Sequence, residues 1–191
     1  MRFVVVVVLA MLTAACTSAT IVNTNDPAPE TPRSTTPPPA GASEPNLVDA
    51  HEYYVTSDDI RGYYFTTPSG KWSCAIMPHS TVGCQATGGA QAIGVTGAPD
   101  TVTTADGEVV APNAIAVGDE GEPGFVRVED PGFVLPSGKA QVLDFNKTLA
   151  AAGFRCNVQE QTGVSCENEL SRKGFTFSSD SYVSHYTAVP R

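Results

Sequence analysis

From about Leu47 to the C-terminus, apolar residues fall into short clusters set apart by glycine, proline and polar residues. The clusters are Tyr63-Tyr64-Phe65, Trp72 to Met77, Ala90 to Val95, Gly107 to Val110, Phe125 to Val128, Phe154 to Val158 and Phe175 to Phe177. This punctuation predicts many short strands joined by turns rather than long helices. Two segments also fit a helical period. Asn46 to Val55 places Val48, Glu52 and Val55 on one face. Lys139 to Ala152 spaces Val142, Phe145 and Leu149 at i, i+3 and i+7 ahead of Gly153 as a C-cap, and reads equally well as a strand and turn.

A self-match organises these clusters. Trp72-Ser73-Cys74-Ala75-Ile76 followed by Val82-Gly83-Cys84-Gln85 aligns with Phe154-Arg155-Cys156-Asn157-Val158 followed by Val164-Ser165-Cys166-Glu167. Both are Cys-x9-Cys, with an aromatic two residues before the first Cys and a Val two before the second. Alternation with period two on both flanks predicts a β-hairpin whose cysteines share a face with their neighbours at ±2. Four cysteines allow three pairings. The repeat makes each pair a local unit, which favours Cys74 with Cys84 and Cys156 with Cys166. Nine intervening residues do not form zinc knuckles, and no Cys-x-x-Cys is present, so neither a metal nor a cofactor is expected. The expected class is therefore mainly β: a small disulfide-stapled antiparallel sheet, sandwich or barrel with at most one or two short helices. Pro68-Ser69-Gly70-Lys71 and Pro136-Ser137-Gly138-Lys139 lack the upstream glycine of a phosphate loop and read as turns entering strands.

The pattern upstream is different. Arg2, an apolar run from Phe3 to Leu12 and then small residues make an export signal, too short to span a bilayer as a helix. Thr13-Ala14-Ala15-Cys16 resembles the lipobox of bacterial lipoproteins. The resemblance implies cleavage between Ala15 and Cys16, a diacylglyceryl thioether on Cys16 and commonly a further acyl group such as palmitate. Two or three chains, at about 0.8 kcal/mol per buried CH₂, anchor a protein where one does not. The expected location is the outer face of the cytoplasmic membrane, in the cell envelope.

Residues 16–46 then form a tract rich in Thr, Ser, Pro and Ala, with seven prolines from Pro27 to Pro45. After Ile21-Val22 it holds no large apolar side chain, so it cannot offset the entropy of ordering and reads as a tether. At about 30 residues it reaches on the order of 30 Å as a coil and roughly 90 Å if extended. The organisation read from the chain is a signal over 1–15, a lipidated tether over 16–46 and one folded domain over 47–191. The 191 residues carry 11 Lys+Arg and 20 Asp+Glu, for a net charge of −9 that becomes −10 once Arg2 is cleaved away. Such a balance excludes a nucleic-acid partner, which needs a basic stripe. It also repels anionic headgroups, leaving the lipid as the attachment.

Several segments together resemble an uncharacterised family of actinobacterial, especially mycobacterial, exported lipoproteins. They are residues 65–74 (Phe-Thr-Thr-Pro-Ser-Gly-Lys-Trp-Ser-Cys), Val82 to Gln85, Gly153 to Cys156, Thr162 to Asn168 and Gly174 to Phe177. The resemblance covers most of residues 60–186. It implies paired disulfides and a β-rich domain, and supplies no catalytic residues.

Candidate chemistry is sparse. His51, His79 and His185 are scattered, with no His-x-x-x-His spacing, nucleophile elbow or dinucleotide fingerprint. Asp58-Asp59 and Asp119-Glu120 read as solvated turns. Tyr53, Tyr54, Tyr63 and Tyr64 cluster near the domain entrance and form a candidate binding face, because Tyr offers contact area at low entropy cost. The reading that follows is a non-enzymatic envelope domain that binds a protein or glycan. The alternatives are a hydrolase built from distant residues such as His79 or His185, and a carrier of a small apolar ligand.

Overall fold

Apolar side chains at every second position of a strand must be buried against a second layer, and the internal repeat supplies that layer. The computed structural model describes residues 46–57, 60–89 and 91–190. The signal, Cys16, the tether up to residue 45 and Asp58-Asp59 lie outside the described residues. Among the described residues the strands are β1 (Tyr54–Thr56), β2 (Arg61–Thr66), β3 (Trp72–Met77), β4 (Thr81–Ala86), β5 (Val102–Thr103), β6 (Val109–Val110), β7 (Ala114–Gly118) and β8 (Gly124–Val126). They continue as β9 (Gln141–Val142), β10 (Lys147–Ala151), β11 (Phe154–Gln159), β12 (Gly163–Asn168), β13 (Gly174–Phe177) and β14 (Tyr182–Val183).

One sheet runs β1-β2-β3-β4-β7-β8, with β9 added parallel to the far half of β2. The other is the antiparallel meander β10-β11-β12-β13-β14, and β5-β6 is a separate small hairpin. The two larger sheets face each other, β12 against β4 and β7, and β13 against β7. The fold is mainly β and stapled by disulfides, with open sheets and, among the described residues, no closed barrel.

Each half of the repeat supplies the centre of one sheet. Cys74 stands opposite Cys84, and Cys156 opposite Cys166. Both pairs are bonded, each with a Cα–Cα distance of 4.1 Å. Strand alternation turns Trp72, Cys74, Ile76, Val82 and Cys84 inward from one sheet. Phe154, Cys156, Val158, Val164 and Cys166 turn inward from the other, and all ten belong to one core.

The outer faces of these hairpins are also covered, by different means. On the first sheet Tyr64, Ala75 and Ala114 pack beneath Phe133 from the segment after β8. Gly83 permits this approach, because a Cβ there would stand 2.3 Å from the Phe133 ring. On the second sheet the repeat places Ser165 where the first has Gly83, and Asn157 where the first has Ala75. That polar row is sealed by the C-terminal segment: Asn157 Nδ2 donates to the Thr187 carbonyl (2.9 Å), Gln159 Nε2 to the same oxygen (3.0 Å) and Thr176 Oγ1 to the His185 carbonyl (2.8 Å). Burial on both faces explains why the Cys-bearing strands lack the clean in-out alternation of a half-solvated sheet.

Neither helical period becomes an α-helix. Asn46 to Val55 contains only a 3-10 turn, Ala50–Tyr53, capped by Asp49 accepting from the His51 N–H, and then enters β1. Lys139 to Ala152 takes its other reading: β9, a turn and β10. Ala152 and Gly153 have φ of 50° and 86° between the paired residues Ala151 and Phe154. Two positive-φ residues make the hairpin turn whose twist suits antiparallel strands, so Gly153 closes a hairpin rather than a helix. Of the three residues the helical spacing selected, only Leu149 is buried; Val142 and Phe145 are exposed, and Leu143, which the spacing passed over, is buried. Ala90 to Val95 forms no strand among its described residues, although Ile93 and Val95 are buried as anchors of a loop.

Candidate functional site: an open acidic cleft

The four tyrosines do not form one binding face. Tyr53 enters the inter-sheet core, 6% exposed, and its Oη donates to the Val142 carbonyl (3.2 Å). Tyr64 is 3% exposed in the outer cluster beneath Phe133, with its Oη 3.9 Å from Met77 Sδ. Burial pushes both phenols above their usual range. Only Tyr54 and Tyr63 keep surface. They pair across β1 and β2 with ring centroids 5.1 Å apart. On β2, period two sends Tyr63 and Tyr64 to opposite sides, while Tyr53 closes the 3-10 turn with its ring in the core and Tyr54 begins β1.

The three histidines are all exposed and far apart in sequence: His51 in the 3-10 turn, His79 in the β3–β4 turn and His185 in the C-terminal segment. Among the described residues no group of three or more His, Cys, Asp or Glu side chains is arranged to hold a metal ion. No helix among them is long and apolar enough to cross a membrane.

An open cleft of about 820 Å³ lies between the β5–β6 hairpin, the turn after β4 and the segment after β8. Its rim carries four exposed carboxylates, Asp106, Glu108, Glu129 and Asp130, and one cation, Arg127. Thr104 Oγ1 donates to Asp106 Oδ1, and this bond with neighbouring backbone N–H groups holds the Asp106 carboxyl below its usual range. Arg127 Nη1 donates to the Gln91 carbonyl (3.0 Å), so its guanidinium braces a loop. At the floor, Gln85 is 4% exposed and its Oε1 accepts from the Phe133 N–H (2.7 Å). Asn113 is tied to Val128 through both its amide atoms, at 2.9 and 2.8 Å. None of these residues stood out in the sequence, because the walls come from three loops distant along the chain. The one available signal was Gln85 itself, next to Cys84 and therefore directed away from the inter-sheet core.

The position that aligns with Gln85 is Glu167, 2% exposed on the second sheet. Burial pushes its carboxyl above the ordinary value, with Arg172 and Arg155 drawing it back and Glu169 adding to the rise. Arg172 Nη1 is 3.1 Å from Glu167 Oε1, but its own side chain is 67% exposed, so water weakens the pair. The folded state thus holds this proton more tightly than the unfolded chain does. The associated stability is present below the unfolded pKa and is lost as pH rises through the folded one. Glu167→Gln is expected to flatten the decline in stability from about pH 4.5 upward, read by urea unfolding across pH. A variant that retains the wild-type slope would assign that decline to other groups.

Comparison with known protein families, curated proteins and solved structures finds no match.

Proposed function

We propose that this chain is an exported lipoprotein held by Cys16 at the outer face of the cytoplasmic membrane, with a non-enzymatic β domain that binds an envelope component. The observation that carries the reading is Thr13-Ala14-Ala15-Cys16 closing an apolar export signal and leading into a Pro/Thr-rich tract. The resemblance to mycobacterial exported lipoproteins agrees with it. The binding role is supported by a polar cleft mounted on a scaffold that two disulfides stiffen, since sites need rigid support.

Two measurements test the two halves of the proposal. Cys16→Ala is expected to move the protein from the membrane to the soluble fraction, and undiminished membrane retention would refute lipid anchoring. Envelope extracts passed over the full chain are expected to yield a partner missing from a tether-only control; an equal yield from both would remove the binding role.

A further inference from the structure

The two halves of the repeat give their outer faces opposite chemistry. Across the first sheet Tyr64, Ala75, Gly83 and Ala116 stand in register on β2, β3, β4 and β7. Across the second the same row is Thr148, Asn157, Ser165 and Thr176, on β10, β11, β12 and β13. The first row is apolar and packs with Phe133. The second is polar and buried, and residues 185–188 lie over its Asn157 and Thr176. A polar bed suits a cover that leaves. Water satisfies its groups once the cover lifts, whereas lifting Phe133 exposes apolar surface.

This cover is held as a peptide ligand is held. Residues 184–190 belong to no strand, and none of them is buried. Side chains of the sheet receive their backbone instead. Asn157 Nδ2 and Gln159 Nε2 donate to the Thr187 carbonyl, Gln159 Nε2 also reaches the Ala188 carbonyl (3.4 Å), and Thr176 Oγ1 donates to that of His185. A bond from Gln159 Nε2 to Asn157 Oδ1 (2.9 Å) sets both amides with their N–H groups toward the segment. Thr187 adds its hydroxyl, 2.9 Å from Thr176 Oγ1. Donors aimed at successive carbonyls recognise backbone, and the hydroxyl contact asks for Ser or Thr at one position.

We propose that Asn157, Gln159 and Thr176 form a groove for a peptide segment of a partner protein, and that residues 184–190 occupy it as a strap which the partner's segment displaces. The incoming segment places backbone carbonyls where those of His185, Thr187 and Ala188 lie, with Ser or Thr at the Thr187 position. Being tied to β14, the strap competes at an effective concentration on the order of 1–10 mM, which keeps the groove closed to weak or dilute ligands. This second surface lies apart from the cleft. Its assignment rests on the reading of the domain as a binding module and does not depend on the Cys16 anchor.

The test uses the full ¹⁵N-labelled chain and the free peptide Ser-His-Tyr-Thr-Ala-Val-Pro-Arg, the sequence of residues 184–191. At about 1–10 mM the peptide is expected to move the backbone resonances of residues 184–190 to unstructured values while those of β3 and β4 stay in place. The D-amino-acid form of the same peptide, equal in charge and composition, is expected to leave the strap seated. A strap unmoved at about 10 mM peptide, or moved equally by the D form, would overturn the proposal. Thr187→Val removes a strap contact and leaves the groove's own side chains intact, so half-displacement is expected at about 3–10-fold less peptide, the worth of one hydrogen bond. An unchanged midpoint would overturn the Ser/Thr requirement and the proposal with it. A partner captured from envelope extracts on the full chain is expected to be released by excess L-peptide. Capture that the peptide leaves untouched keeps the binding role and removes the groove, and no capture at all removes both.

Discussion

Replacing Cys74, Cys84, Cys156 and Cys166 together by Ala is expected to leave the domain largely unfolded. Each bridge closes a short loop, with partners 10 residues apart, which in the chain-entropy model stabilises by about 2–3 kcal/mol. Lost together, the two cost about 4–6 kcal/mol, comparable with the whole stability of an ordinary domain, commonly about 5–15 kcal/mol. All four sulfurs also sit in the core with no exposed surface, so Ala leaves unfilled space as well as a freer chain. Each pair removed alone should lower stability by about half as much, read as the shift in urea midpoint at constant slope. Midpoints that stay put when a pair is lost would show that the hairpins need no staple.

Each bridge is a rung inside its own sheet, so neither ties the sheets together. That task falls to side chains in the interior, and Phe177→Ala is the substitution expected to disturb it most. Phe177 on β13 is fully buried. Its ring meets Trp72 of β3, in the opposite sheet, edge to face at 5.0 Å between centroids, and Phe175 at 5.9 Å. Truncation removes these contacts and opens a cavity between two sheets whose backbones are hydrogen-bonded in place, so relaxation fills little of it. The expected loss is about 3–5 kcal/mol, against less than about 1.5 kcal/mol for Phe177→Leu. Trp72 is the only Trp in the chain, so its fluorescence reports the same change directly. A Phe177→Ala variant within about 1 kcal/mol of wild type would mean that the sheets dock chiefly through other residues.

Period-two alternation around four cysteines was enough to place both hairpins, their register and their bonds. Trp72–Met77 coincides with β3, and the predicted cluster from Phe154 to Val158 is β11 short of one residue. Hairpin pairing is local, so the residues that specify it lie within about ten positions of one another. Where the chain turned instead of continuing, local pattern was ambiguous. The spacing of Val142, Phe145 and Leu149 satisfied a helix, yet of these only Leu149 is buried and Leu143 takes the inward place, with β9 added to β2 through the pairs Phe65 with Gln141 and Thr66 with Val142. That pairing spans more than seventy residues, and no short window contains it.

The candidate sites divide the same way. Tyrosines close in sequence suggested one face, but Tyr63 and Tyr64 face opposite layers from adjacent positions on β2, and Tyr53 enters the core from the end of the 3-10 turn. The cleft was invisible for the converse reason: Gln85, the β5–β6 turn and the Glu129-Asp130 segment meet only after β4, β7 and β8 are aligned. By itself, the chain's residue pattern determined the β class, the two hairpins and the pairing of their cysteines, because each is a matter of short-range periodicity. Tertiary structure alone decided that the repeats face each other as two sheets, that their outer faces are covered once by Phe133 and once by the C-terminal segment, and that three distant loops meet in a cleft rimmed by four carboxylates. Those outcomes depend on contacts between residues far apart in the chain, where burial, not local propensity, selects the partner.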